Sequence, residues 1–179
     1  MGARRRQTLA QAGPDMTDVE SDIKNRARII AINIDEASIA HGNSDIEHER
    51  EVAIFDILDG NSFAVDGHEG PYRLHIALAD DRLALNIFDE GGTQLLSGHS
   101  VPLAPLKRLL KDYFLVLDSY YQAIRSGQPS RIQAIDVGRR GLHDEGSRLL
   151  QERLAGKIAM DFDTARRLFT LISALHWKG

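Results

Sequence analysis

The chain has 179 residues, 42% of them hydrophobic and 27% charged, with a net charge of −4 and no cysteine. That size and composition suit one globular domain with a sizeable core, and no apolar run approaches the ~18–20 residues that a membrane helix needs. Disulfides, thiolate metal sites and a cysteine nucleophile are excluded, and no apolar stretch follows Arg4, Arg5 and Arg6 to make a secretory signal, so the expected location is the cytoplasm.

Residues 1–22, rich in Gly, Gln, Pro and Asp, read as a disordered leader, with Met16 an alternative start. Residues 23–179 read as a single α+β domain. Its charge is divided: residues 23–101 hold 6 Lys/Arg against 14 Asp/Glu, and residues 102–179 hold 13 against 8. Such asymmetry either draws the two halves together or marks an anionic partner for the basic half.

The first strand is expected from Arg28 to Asp35, where Ile30, Ile32 and Ile34 alternate with other residues. A helix follows, with Ser44 as its cap and Glu47 at capping-box spacing, and it runs to Asp59 before Gly60-Asn61. Tyr72, Leu74, Ile76 and Leu78 alternate strictly, as do Leu83, Leu85 and Ile87 after an Asp80-Asp81 turn. A return strand covers Leu95 to Val101. This predicts an antiparallel meander with one buried face, covered by helices.

From Pro102 to Ser126, Leu106, Leu109, Leu110, Tyr113, Leu117, Tyr120, Tyr121 and Ile124 share one helical face. A longer helical pattern covers Arg131 to Leu154, as one helix or two, and a last helix is capped by Asp161 or Asp163. The expected order is strand, helix, three strands, three helices, an α+β arrangement whose C-terminal half is helical.

Gly138-Arg139-Arg140-Gly141-Leu142-His143-Asp144-Glu145-Gly146 puts three glycines inside a helix, each unfavourable by ~0.5–1 kcal/mol against alanine. Gly138 and Gly146 share the stripe of Ile135, Leu142 and Leu149, so both are expected to admit a neighbouring helix. Arg139 falls on the core side of the wheel with His143 one turn on, and a core-facing arginine needs a carboxylate. In the first helix Arg50 also points to the apolar side, with Glu47 and Glu49 at its edges. Arg50, Glu47, Glu49, Arg139 and His143 are therefore expected to meet, as a structural ion-pair network or as a ligand site. Tyr113, Tyr120 and Tyr121 read as core and rim residues with hydroxyls turned to water.

The histidines show no H-x-x-x-H spacing, so no metal site is expected, and no P-loop, G-x-G-x-x-G or G-x-S-x-G points to a cofactor or a hydrolase. Gly138-Arg-Arg-Gly141 has the form of the KH backbone clamp, but no strands follow it.

The segments Asp35-Glu-Ala-Ser-Ile, Asp45-Ile-Glu-His-Glu-Arg50, Gly70-Pro-Tyr-Arg-Leu74, Lys111-Asp-Tyr-Phe114, Ser119-Tyr-Tyr-Gln-Ala-Ile124, Gly138 to Gly146 and Asp163-Thr-Ala-Arg-Arg-Leu-Phe-Thr-Leu-Ile172 together resemble an uncharacterised protein family of alphaproteobacteria, over about residues 26–178. The resemblance implies a cytoplasmic bacterial protein and no particular activity. It also implies Asn at 144 and Cys at 173 in other members, so that neither Asp144 nor a thiol at 173 is essential.

The functional expectation is a small interaction or regulatory protein without catalysis and without a cofactor, docking another protein. The alternatives are an anionic-ligand binder or enzyme in which the arginines hold the anion and His143 exchanges a proton near pH 6.5, and an RNA-binding protein using the basic helices.

Overall fold

The computed structural model describes Gly13 and residues 15–176. Five helices and six strands follow in the order α1 (Met16–Arg26), β1 (Ile29–Ile34), α2 (Ser44–Asp59), β2 (Phe63–Val65), β3 (Tyr72–Ala79), β4 (Arg82–Phe88), β5 (Leu95–Pro102), α3 (Lys107–Arg125), α4 (Pro129–Leu154), β6 (Ile158–Met160) and α5 (Phe162–His176). The fold is α+β, with a four-stranded sheet in the order β1-β3-β4-β5 and a small sheet pairing β2 with β6.

The alternating strands pair as an antiparallel meander, β3 with β4 and β4 with β5. Leu74, Ile76, Leu83, Leu85 and Ile87 are all buried, while Arg73, His75, Ala84 and Asn86 stay half-exposed on the other face. Asp80 and Asp81 both take positive φ, 51° and 57°, the backbone that a tight two-residue hairpin requires and that short polar side chains tolerate.

The meander is not the whole sheet. β1 joins its edge parallel to β3, Ile32 beside Leu74 and Ile34 beside Ile76, and α2 lies on the crossover that a parallel neighbour requires. Asn61 anchors that crossover: its Oδ1 accepts from Ile29 N–H at 2.7 Å, and its Nδ2 donates to Ile29 O at 3.0 Å and Ile57 O at 2.8 Å.

The cap of α2 lies one residue earlier than expected. Asn43 Oδ1, not the Ser44 hydroxyl, accepts from Ile46 N–H at 3.0 Å, and Glu47 reaches back to Gly42 N–H at 3.1 Å. At the other end of the chain Asp161 caps α5 through Thr164 N–H at 2.9 Å.

The inner face of the sheet shares one core with α3 and α5. α5 is the most enclosed helix and packs against α2, α3 and α4. α4 is a single continuous helix of 26 residues. Among the described residues no helix is long and apolar enough to cross a membrane.

Two further differences separate the structure from the expectation. Residues 16–22, which the sequence placed in the leader, open α1, where Asp15 accepts from Thr17 N–H and Met16, Val19 and Ile23 recur at helical spacing, all exposed. Residues 1–12 and 14 of the expected leader lie outside the described residues. The two expected packing glycines also part. A Cβ on Gly146 would run into the Phe169 ring of α5, whereas one on Gly138 or Gly141 would meet nothing within 4 Å. Gly138 is exposed.

Opposite outcomes are therefore expected from one substitution at two sites. Gly138→Ala raises stability by ~0.5–1 kcal/mol through helix propensity alone, and Gly146→Ala lowers it by ~1–3 kcal/mol through overpacking. Urea-unfolding midpoints of the two variants check the signs.

Candidate functional site

The five residues expected to meet form two groups, because one step along a helix turns a side chain by about 100°. Arg50 stays near the start of α2. Its Nη2 lies 2.8 Å from Glu47 and its Nη1 3.2 Å from Glu36, with the side chain 18% exposed. Glu49, one residue away in sequence, points into the junction of α2, α3 and α4 and is 7% exposed.

Glu49 is the carboxylate that Arg139 finds. Arg139 Nη2 donates to Oε2 at 3.2 Å and Oε1 at 3.3 Å. The Tyr121 hydroxyl donates to Oε1 at 2.9 Å and the Tyr113 hydroxyl to Oε2 at 3.3 Å. The Arg139 guanidinium also lies over the Tyr120 ring, 5.1 Å from its centroid, a cation–π contact. The Tyr113 and Tyr121 hydroxyls are thus turned to a buried acid and not to water. The signal for them was physical: a buried phenol needs an acceptor.

Burial and the neighbouring Glu49 charge push both the Tyr113 and the Tyr121 phenols well above their ordinary value. Burial alone would lower the Arg139 pKa, but the Tyr113 phenol and Glu49 outweigh it, and the guanidinium is held more firmly charged.

His143 lies one turn beyond Arg139 and is 5% exposed. Its ring packs against Tyr113, centroids 5.2 Å apart, and edge-on to Phe169 at 6.2 Å. Burial, then the positive charges of Arg139 and Arg166, lower its pKa to about 3. The expected proton exchange near pH 6.5 does not survive this burial.

Above these residues a cleft of about 340 Å3 opens between α2, α4 and α5. Glu49, Arg139 and His143 line it from within, together with Asp56 of α2 and Asp163, Arg166, Arg167 and Thr170 of α5. Arg50 and Glu47 take no part in it. Gly138 and Gly141 lie inside an unbroken helix, so the backbone-clamp loop is not formed. Among the described residues no cluster of three or more His, Asp or Glu side chains is placed to hold a metal ion.

The profile of the Uncharacterised protein family (UPF0262) matches residues 26–178. The chain belongs to this family. A UPF0262 protein of Xanthobacter autotrophicus is 58% identical over 160 residues, 88% of this chain and 97% of that protein. One of Rhodopseudomonas palustris is 55% identical over 165 residues, 92% of this chain and 100% of that protein. One of Nitrobacter winogradskyi is 55% identical over 163 residues. No solved structure matches. The family match begins at residue 26 and so takes in Glu49, Tyr113, Tyr121, Arg139 and His143, but not α1 up to Asn25.

Within this family member, two arginines one residue apart should behave differently. Arg139→Ala strands the buried Glu49 and is expected to cost ~3–5 kcal/mol. Arg140 is exposed and pairs with Asp136 at 2.9 Å along the helix, so Arg140→Ala costs a few tenths of a kcal/mol, ~0.3–0.5. Urea melts of both variants measure the gap.

His143 also leaves a signature in pH. Its folded pKa is depressed from 6.5 to about 3, so in this range the unfolded chain binds the proton and the folded chain does not. Its contribution is complete above pH 6.5 and is lost as the pH falls towards 3. Between pH 6 and pH 4 the wild type should lose about 1.4 kcal/mol per pH unit more than His143→Gln, read from urea melts at each pH.

Proposed function

We propose that the chain is a non-catalytic interaction protein of the cytoplasm, docking another protein through the outward face of α2. One observation carries the reading. Away from the core, this helix keeps Val52, Phe55 and Leu58 exposed at 40%, 67% and 40%. Three large apolar side chains on one face, with Phe55 at the centre, form a patch of the kind that marks contact surfaces. Glu51 and Asp59 stand exposed on the same face, so the complementary partner offers an apolar surface edged with lysine or arginine.

The state of the ionisable cluster supports a role without catalysis. His143 stays neutral through the physiological range, both phenols keep their protons, and Glu49 already carries three donors. A general acid or base works best with a pKa near the operating pH, which neither His143 nor either phenol has. Part of the charge of the basic half is spent within the fold. Arg125 pairs with Asp45 at 2.7 Å, Lys107 with Asp81 at 3.0 Å and Arg108 with Glu145 at 3.2 Å.

The test is a pull-down from bacterial lysate with wild type and Phe55→Asp, alongside light scattering of the purified chain. One stoichiometric protein should be retained by wild type and lost with Phe55→Asp, whose urea midpoint stays within about 0.5 kcal/mol of wild type as befits an exposed site. Equal capture by both, or a wild-type homodimer that Phe55→Asp dissociates, overturns the reading.

A further inference from the structure

The cleft beside that patch carries a second, chemically distinct opportunity. Asp56, Asp163, Arg166 and Arg167 all line it. Among the described residues none of the four has an oppositely charged side chain within ion-pair distance. Arg167 spends one N–H on the Gly60 carbonyl. Two carboxylates and two guanidinium groups thus face one small space with their charges unmatched.

Beneath them is a buried pair of unused hydrogen-bonding atoms. The single hydroxyl hydrogen of Thr170 goes to the Arg166 carbonyl at 3.1 Å. The 3.1 Å contact between Thr170 Oγ1 and His143 Nε2 therefore places the imidazole hydrogen on Nε2. His143 Nδ1 is left as a bare acceptor, buried without a partner. One turn earlier on the same helix, Arg139 Nε–H is a buried donor without a partner. Leaving such atoms unpaired is unfavourable, and both belong to side chains that line the cleft, where a ligand group that donates and accepts can pair them.

We propose that this cleft binds a zwitterionic α-amino acid whose side chain ends in an amide or a hydroxyl. Its carboxylate is held by Arg166 and Arg167, its ammonium by Asp56 and Asp163, and its polar tip reaches His143 Nδ1 and Arg139 Nε–H. A simple anion would meet the two aspartates and a simple cation the two arginines, so only a ligand bearing both signs matches every charge. A volume of about 340 Å3 stands at the small end of ligand pockets. The inference goes beyond protein docking and rests on other side chains: Val52 of the patch also lines the cleft, but Phe55, at the centre of the patch, does not.

The experiment is isothermal titration and thermal shift of the full chain with glutamine, asparagine, serine and leucine. Controls are glutaramate, which lacks the amine, 4-aminobutanamide, which lacks the carboxylate, and inorganic phosphate. Glutamine, asparagine or serine should bind and raise the melting temperature, with leucine and both single-charge analogues at least tenfold weaker. Arg166→Gln and Asp163→Asn should each weaken binding at least tenfold while leaving the ligand-free melting temperature unchanged, and Phe55→Asp should not affect it. Phosphate or glutaramate binding as tightly as the amino acid would make the cleft an anion site and overturn the proposal. So would the absence of any amino-acid response at millimolar concentration, or binding that survives both cleft substitutions.

Discussion

A carboxylate buried where three helices meet is the constraint that organises the helical side of this molecule. Glu49 cannot stay ionised there without donors, since an isolated buried charge is unfavourable by several kcal/mol. It receives them from α3, through Tyr113 and Tyr121, and from α4, through Arg139. Each donor fixes the helix that carries it in rotation as well as in distance, which apolar packing alone does loosely. The same arrangement sets the floor of the cleft. Arg139 spends its charge on Glu49, so the electrostatics felt by anything entering come from the rim, where acids and arginines balance.

The division of charge between the two halves of the chain has a structural outlet. Asp45 with Arg125, Asp81 with Lys107 and Glu49 with Arg139 all cross the boundary. Magnitudes separate them. The first two pairs are solvent-exposed, and such pairs contribute ~0–1 kcal/mol. The third is buried, and its partners depend on one another. Cohesion between the halves comes mainly from the shared core of Leu74, Leu85, Leu110, Phe169 and Ile172, and the surface pairs refine the orientation.

Much of this was legible in the sequence because side-chain period reports which face is buried. Strict alternation placed β3 and β4, and the wheel placed Arg139 and His143 inward. Period says nothing about strand direction, so β1 could be found but not its parallel pairing. Three-residue strands are too short to show a period, which hid β2 and β6. In α1 the apolar stripe was present but diluted by Asp18, Glu20 and Asp22. The wheel also grouped Arg50 with Arg139, since it gives an angle but not a height along the helix or the flank on which a long side chain finds its partner. Gly138 failed for a related reason. Sharing a stripe with Gly146 places it on the same side of α4, but the neighbouring α5 reaches only the later turns.

That last point bears on how α4 is held. Every buried position in this helix lies at His143 or beyond, and Val137 is 67% exposed. The turns from Pro129 to Gly138 thus rest on partial contacts, with exposed glycines at 138 and 141 further lowering their helical preference. What secures the near end of this segment is the guanidinium of Arg139, so a charge contact stands in for an apolar anchor. The turns before Arg139 are thus the ones with least to resist local opening, and the ion pair stands where the well-packed part of the helix starts.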